Sequence, residues 1–265
     1  MTEAALILVW PALAGYAEAA VAYAGDTVRP GRLVRWAIWG VRIGWLAQTA
    51  LLVAQALSAD GFPWGTWAGS LNLFVRMCVG VYLIWGCRAP FRLLGLVVMP
   101  LSVVLLALAW AAGGVGEQAA SEFGDAFLVF HVGLILAAFA GFTLAASLAA
   151  IYLWQDRRLK RRAPGVLRLR SPSLQTLDQL TVRTIAIALP ALTVGAGIGL
   201  ARLREEGASF DAIMGLTVLT WAVYAAFLVL RWEAGWRGRR TAYLALAGFL
   251  LVVLVRVVLA PFVHF

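Results

Sequence analysis

Two histidines, His131 and His264, carry the only imidazoles of this 265-residue chain. An imidazole nitrogen is a good axial ligand for iron, and two of them at one depth on neighbouring helices can close on a single iron from opposite sides. His131 stands a few residues inside one long apolar run, and His264 stands at the end of another. An ionisable group in a membrane-length run is costly enough to mark a functional candidate by default. The competing reading is a pair of amphipathic rings resting at headgroup level.

A second cluster, Phe62-Pro63-Trp64-Gly65-Thr66-Trp67, lies just before a further apolar run. Trp64 and Trp67 can form an apolar shelf for a flat ligand, whereas interfacial belts account for tryptophans such as Trp36, Trp85, Trp110, Trp154 and Trp232 near other run ends. Arg76 and Arg256 each sit about two turns inside a run, and a guanidinium there needs a counter-charge. A heme propionate gripped through two parallel hydrogen bonds is one candidate, and Asp60, Asp125 and Asp211 are others. Arg42 and Glu18 are placed to pair with each other as a structural couple.

Other chemistry finds no carrier. The sequence has no Gly-x-x-x-x-Gly-Lys-Ser/Thr, His-Glu-x-x-His or Gly-x-Ser-x-Gly pattern, so a binding or chaperone role is expected rather than catalysis. Cys78 and Cys87 exclude a four-thiolate metal site and, about 13 Å apart along one helix, cannot bridge each other. Gly195, Gly197 and Gly199 superficially match a nucleotide loop, but within an apolar span they fit close helix packing.

The elements that must position these residues follow from composition. With 63% hydrophobic and 13% charged residues, the chain departs from the 45–50% apolar and 25% charged usual in soluble domains. Runs long enough to cross a bilayer fall at about 4–23, 36–57, 70–87, 92–112, 127–153, 184–203, 213–231 and 241–263. The fold expected is all-α: a polytopic helical bundle of eight transmembrane helices in a single domain over 1–265. The first run lacks a basic start and is too long for a cleavable signal, so it is expected to persist.

Basic residues fix the orientation. Alternate loops at 24–35, 88–92, 154–183 and 231–240 hold 17 Lys+Arg and 4 acidic residues, whereas the N-terminus and the loops at 58–69, 113–126 and 202–212 hold 2 and 8. Lys and Arg remain on the cytoplasmic side, so both termini face outward, as do His131 and His264. The net charge of +9 is therefore topological, and no nucleic-acid partner is invoked. The basic cytoplasmic loop at 154–183 favours anionic headgroups, and Ser173 is expected to N-cap a short interfacial helix.

Several stretches together carry a family resemblance: His131-Val-Gly-Leu-Ile-Leu-Ala-Ala-Phe, Ser171-Pro-Ser-Leu-Gln-Thr-Leu-Asp178, Leu189-Pro-Ala-Leu-Thr-Val-Gly195-Ala-Gly-Ile-Gly199, Thr220-Trp221-Ala-Val-Tyr224 with Arg231, and Gly235-Trp236-Arg237-Gly238-Arg239. From about residue 60 onward the chain resembles the cytochrome c assembly family of heme-handling membrane proteins, nearest its small eight-helix HemX-type branch. The resemblance implies a multi-pass protein of the bacterial plasma membrane that holds non-covalent b-type heme at the outer face. Its implied partners are membrane lipid and apocytochrome c or other assembly subunits.

By the same resemblance, His131 and His264 match the two histidines flanking the family's tryptophan-rich segment, and Asp211 matches the acidic residue closing it. This chain departs from that pattern. Phe210 stands where a Trp usually precedes the Asp, Ala212-Ile213-Met214 replace Pro-Lys-Glu, and 202–209 contains no Trp. Trp64, Trp67 and Phe210 are left to pack on the ring, with Arg76 or Arg256 taking a propionate. Two other readings stand beside this one. One is an assembly or regulatory subunit on the same fold that binds no heme, for example a regulator of heme biosynthesis. The other is a secondary transporter with a polar midplane site near Thr193, Thr217 and Thr220.

Overall fold

The computed structural model describes residues 2–28, 31–58, 64, 66–85, 92–115, 125–161, 172–206 and 212–254. Among them are eight α-helices and no strand: α1 (Thr2–Val28), α2 (Val34–Ser58), α3 (Trp67–Trp85), α4 (Arg92–Ala111), α5 (Asp125–Lys160), α6 (Leu174–Glu206), α7 (Ala212–Trp232) and α8 (Arg239–Val253). Helix satisfies every backbone group internally, which apolar chain in lipid requires. Seven of these helices are long and apolar enough to span a bilayer. The described part of α8 is 15 residues, and the remainder of the run expected at 241–263 lies outside the described residues.

Two helices extend well beyond the apolar runs. The sequence places the end of the fifth span at 153 and the start of the sixth at 184, whereas α5 continues to Lys160 and α6 begins at Leu174. Backbone hydrogen bonding does not stop where hydrocarbon stops, and Arg157, Arg158 and Lys160 suit the negative end of the α5 dipole. Ser173 does cap α6, accepting from the Thr176 N–H at 3.1 Å. The helix it starts is continuous into the span, not a separate interfacial piece.

The chain divides into two compact units, Met1–Leu128 and Val129–Phe265. In the first, α1 and α2 meet backbone to backbone. A Cβ on Gly15 would come within 2.7 Å of Gly40 O and 2.8 Å of Gly44 N, so the Gly40-x-x-x-Gly44 face of α2 admits nothing larger. The Tyr16 ring fills the space over Gly44, and Leu51, Leu71, Val75, Tyr82 and Met99 are fully buried elsewhere in this unit.

A polar seam crosses this apolar unit. Tyr16 OH donates to Gln48 Oε1 at 2.7 Å, and Gln48 Nε2 donates to Asn72 Oδ1 at 2.9 Å. Asn72 Nδ2 lies 3.4 Å from Gln55 Oε1, and Gln55 Nε2 donates to Gly114 O at 3.1 Å. Gln48 and Gln55 share one face of α2 because seven residues make two turns. With no water in hydrocarbon, such groups find partners on neighbouring helices and hold them in register.

In the second unit α5 is the most enclosed helix, with Leu136, Phe139, Phe142, Ala145 and Leu148 at its buried face. Phe142 stacks on Tyr224 of α7 with centroids 3.8 Å apart. The Tyr224 hydroxyl donates to Ala245 O at 3.2 Å, its ring fitting against Gly248 of α8. At the other end α7 turns into α8 through Gly235 (φ 63°) and Gly238 (φ 75°). Gly235 lets the Trp236 N–H reach back to Leu230 O at 3.1 Å.

Candidate functional site

His131 is seated against α6 by two glycines. Its Nδ1 lies 2.8 Å from Gly195 O, and since a carbonyl only accepts, Nδ1 must carry the proton. The neutral ring then holds its lone pair on Nε2, the tautomer required of an Nε2 metal ligand, with a backbone carbonyl as the orienting partner such ligands usually have. One turn further along α6, Gly199 leaves room for the ring itself. A Cβ there would contact His131 Cε1 and come within 2.9 Å of Nδ1. The donor set therefore fits an axial iron ligand.

The triplet Gly195, Gly197 and Gly199 thus serves close approach, as expected from its place in a span. Gly195 meets Leu134 and Ile135, Gly199 meets His131, and Gly197 faces open space. His264, the second ligand expected from sequence, lies outside the described residues, as do Phe210, Asp211 and Arg256. The C-terminal end of α5 and the N-terminal end of α8 are neighbours, joined by Arg157 to Tyr243 OH at 3.3 Å and Asp156 to Arg239 at 2.7 Å.

The remaining candidates belong to the first unit. Trp64 is half-buried and donates through Nε1 to Gln55 Oε1 at 3.3 Å, which ties it to the polar seam. Trp67 opens α3, behind Thr66, whose Oγ1 accepts from the Gly69 N–H at 3.1 Å. Arg76 places its guanidinium carbon 3.5 Å from the Trp45 ring centroid, and among the described residues it has no acidic partner. Of the acids offered as its counter-charge, Asp60 and Asp211 are not described, nor is the side chain of Asp125.

The couple expected between Glu18 and Arg42 is corrected. Glu18 is exposed, and Arg42 lies 5.6 Å over the ring of Trp39, three residues earlier on its own helix. A cation–π contact along one helix face needs no partner helix to bring it together. The threonines named for a polar midplane site have their hydroxyls engaged within their own helices. Thr193, Thr217 and Thr220 each donate to the carbonyl one turn earlier, at 2.8–2.9 Å, and Thr193 also accepts from Trp221 Nε1.

Sequence reasoning passed over one constellation. Asp178 accepts from Arg231 Nη2 at 2.6 Å and from the Gly238 N–H at 3.2 Å, with Thr241 Oγ1 3.3 Å away. Arg231 also donates to Trp236 O at 3.0 Å. The knot binds the start of α6 to the α7–α8 turn. Its only signal in the sequence was an acid and an arginine 53 residues apart in two of the stretches that carry the resemblance.

Among the described residues no group of three or more His, Cys, Asp or Glu side chains could hold a metal ion. The family model described as Cytochrome C assembly protein matches residues 64–260, a stretch that includes His131, Asp178 and the α7–α8 turn. The chain is 27% identical to the cytochrome c biogenesis protein CcsA of Microcystis aeruginosa, over 80% of this chain and 80% of that one. It is 28% identical to CcsA of a Synechococcus species, over 78% and 76%. Against CcsA of Chlamydomonas reinhardtii identity is 26%, over 76% of this chain and 59% of that protein. No solved structure matches. With three quarters of its length matched by the family model, the chain belongs to the Cytochrome C assembly protein family.

Proposed function

We propose that this protein serves cytochrome c assembly by holding heme at the outer membrane face, with His131 and His264 as axial ligands. The observation that carries the reading is the seat of His131, whose Nδ1 is committed to Gly195 O so that Nε2 is the ligating nitrogen. Membership of the family supplies the heme-handling context. Arg256 takes a propionate, and Phe210 and Asp211 belong to the segment between the two histidines. Bis-imidazole ligation supplies a low-spin iron with no open position, suited to holding heme or passing electrons and unsuited to oxygen chemistry. The heme is b-type and non-covalent, the membrane is the bacterial plasma membrane, and the partner is an apocytochrome c or another assembly subunit. The lack of tryptophan in 202–209 favours the HemX-type branch.

The test is an optical spectrum of the detergent-purified protein, as isolated and after heme titration, oxidised and dithionite-reduced. The expected result is a sharp low-spin Soret band with split α and β bands, lost in both His131→Ala and His264→Ala. A featureless spectrum with excess heme, or bands retained in the double variant, overturns the reading and leaves an assembly or regulatory subunit on the family fold.

A further inference from the structure

We propose that the cleft between the end of α5 and the α7–α8 turn is a binding site for a phosphate group, that of an anionic phospholipid at the inner leaflet. The cleft measures about 530 Å³ and lies wholly within the second unit. Four cations line it, Lys160, Arg237, Arg239 and Arg240, against a single carboxylate, Asp156. The inference does not depend on heme, only on the orientation read from the distribution of Lys and Arg.

Of the three described carboxylates closest to the cleft, Glu233 is exposed and outside its lining, and the other two are engaged. Asp178 serves the knot with Arg231, Gly238 and Thr241, and Asp156 is 2.7 Å from Arg239 Nε and 3.4 Å from Lys160 Nζ. The ion pair of Arg239 approaches Asp156 from its Nε side, and its terminal amino groups are the donors a phosphate would meet. Arg237 is exposed and meets no acid among the described residues, and Arg240 is held 5.7 Å over the Trp236 ring. The turn that carries these side chains is fixed rather than loose. Gly238 adopts a left-handed conformation and donates its N–H to Asp178, while Arg231 grips Trp236 O.

Depth points to lipid. Trp236 lines the cleft, and Trp232 and Trp154 are exposed near the ends of α7 and α5 without lining it, the latter under Arg158; aromatic residues at helix ends of this kind mark the headgroup level. Basic pockets between spans on the cytoplasmic side meet the negative potential of that leaflet, which favours an anionic lipid headgroup.

Native mass spectrometry of the delipidated full-length protein, titrated with phosphatidylglycerol or phosphatidylcholine, tests the site. Wild type is expected to retain one phosphatidylglycerol in preference to phosphatidylcholine, and R237Q/R240Q to lose that retention by about tenfold or more. R32Q/R35Q removes the same charge from exposed positions of the first unit, on the face that the distribution of Lys and Arg assigns to the same leaflet, and is expected to behave as wild type. No preference in wild type, or equal loss in the two double variants, overturns the proposal. A thermal shift produced by millimolar glycerol phosphate alone, with no retained lipid, overturns the lipid source and assigns the cleft to a soluble phosphate ester. The wild-type comparison of the two lipids stands even if a variant fails to fold.

Discussion

At Gly199 the space for one methyl group decides whether the His131 ring can lie where it does, because a Cβ there would collide with the imidazole. The neighbouring Gly197 meets nothing, which makes the pair an internal control. Gly199→Val is expected to lower heme retention by about 10- to 100-fold, the scale of losing an orienting partner of a ligand. Gly197→Ala is expected to leave both heme retention and thermal stability unchanged. Spectrophotometric heme titration of the two variants, alongside thermal unfolding, checks this. Equal effects in both would mean that the α6 glycines serve general packing rather than the seat of His131. The spacing of these glycines was legible in sequence as a packing device. Their relation to His131 was not, since the residues lie 64 apart and only folding brings a carbonyl to Nδ1.

Helices in this chain are held by polar contacts of a kind that composition hides. Gln48 is fully buried and serves Tyr16 and Asn72 at once, so Gln48→Leu leaves a hydroxyl and an amide without their partner inside apolar surroundings. The expected cost is about 1–3 kcal/mol, measured by thermal or denaturant unfolding in detergent micelles. A Gln48→Leu, Asn72→Leu double variant should lose less than the sum of the two singles, because residues in one network are coupled. The Asp178–Arg231 pair, both side chains 13% exposed, behaves more severely. Asp178→Asn leaves the guanidinium without its counter-charge, and a loss of about 3 kcal/mol is expected by the same measurement. Apolar run length announced where these helices would be. It missed the extensions of α5 and α6, because Gln155, Asp156 and Thr181 are buried by protein beyond the apolar runs. Ser173 was readable as a cap because its partner is three residues away.

For the molecule as a whole, the governing asymmetry is the placement of arginine and lysine. Single-cysteine labelling, with Cys78 and Cys87 replaced by Ala, checks the orientation that asymmetry implies. Arg158→Cys is expected to react with an impermeant maleimide only after the cells are opened, and Ala112→Cys in intact cells, both positions being exposed. The reverse pattern would place His131 at the cytoplasmic face and remove the outer-surface reading with it. The number of long apolar helices, the candidate imidazoles and the expectation of an orientation are read from residue type and count along the chain, because transfer into lipid and retention of positive charge act on local composition. Tertiary structure alone decided which tautomer His131 holds, that Arg76 rests on Trp45, that Arg42 leaves Glu18 aside, and that four cations surround one cleft. Apart from the contact of Arg42 with Trp39, these outcomes rest on partners tens of residues away, and no local periodicity encodes a distance that arises only when helices pack.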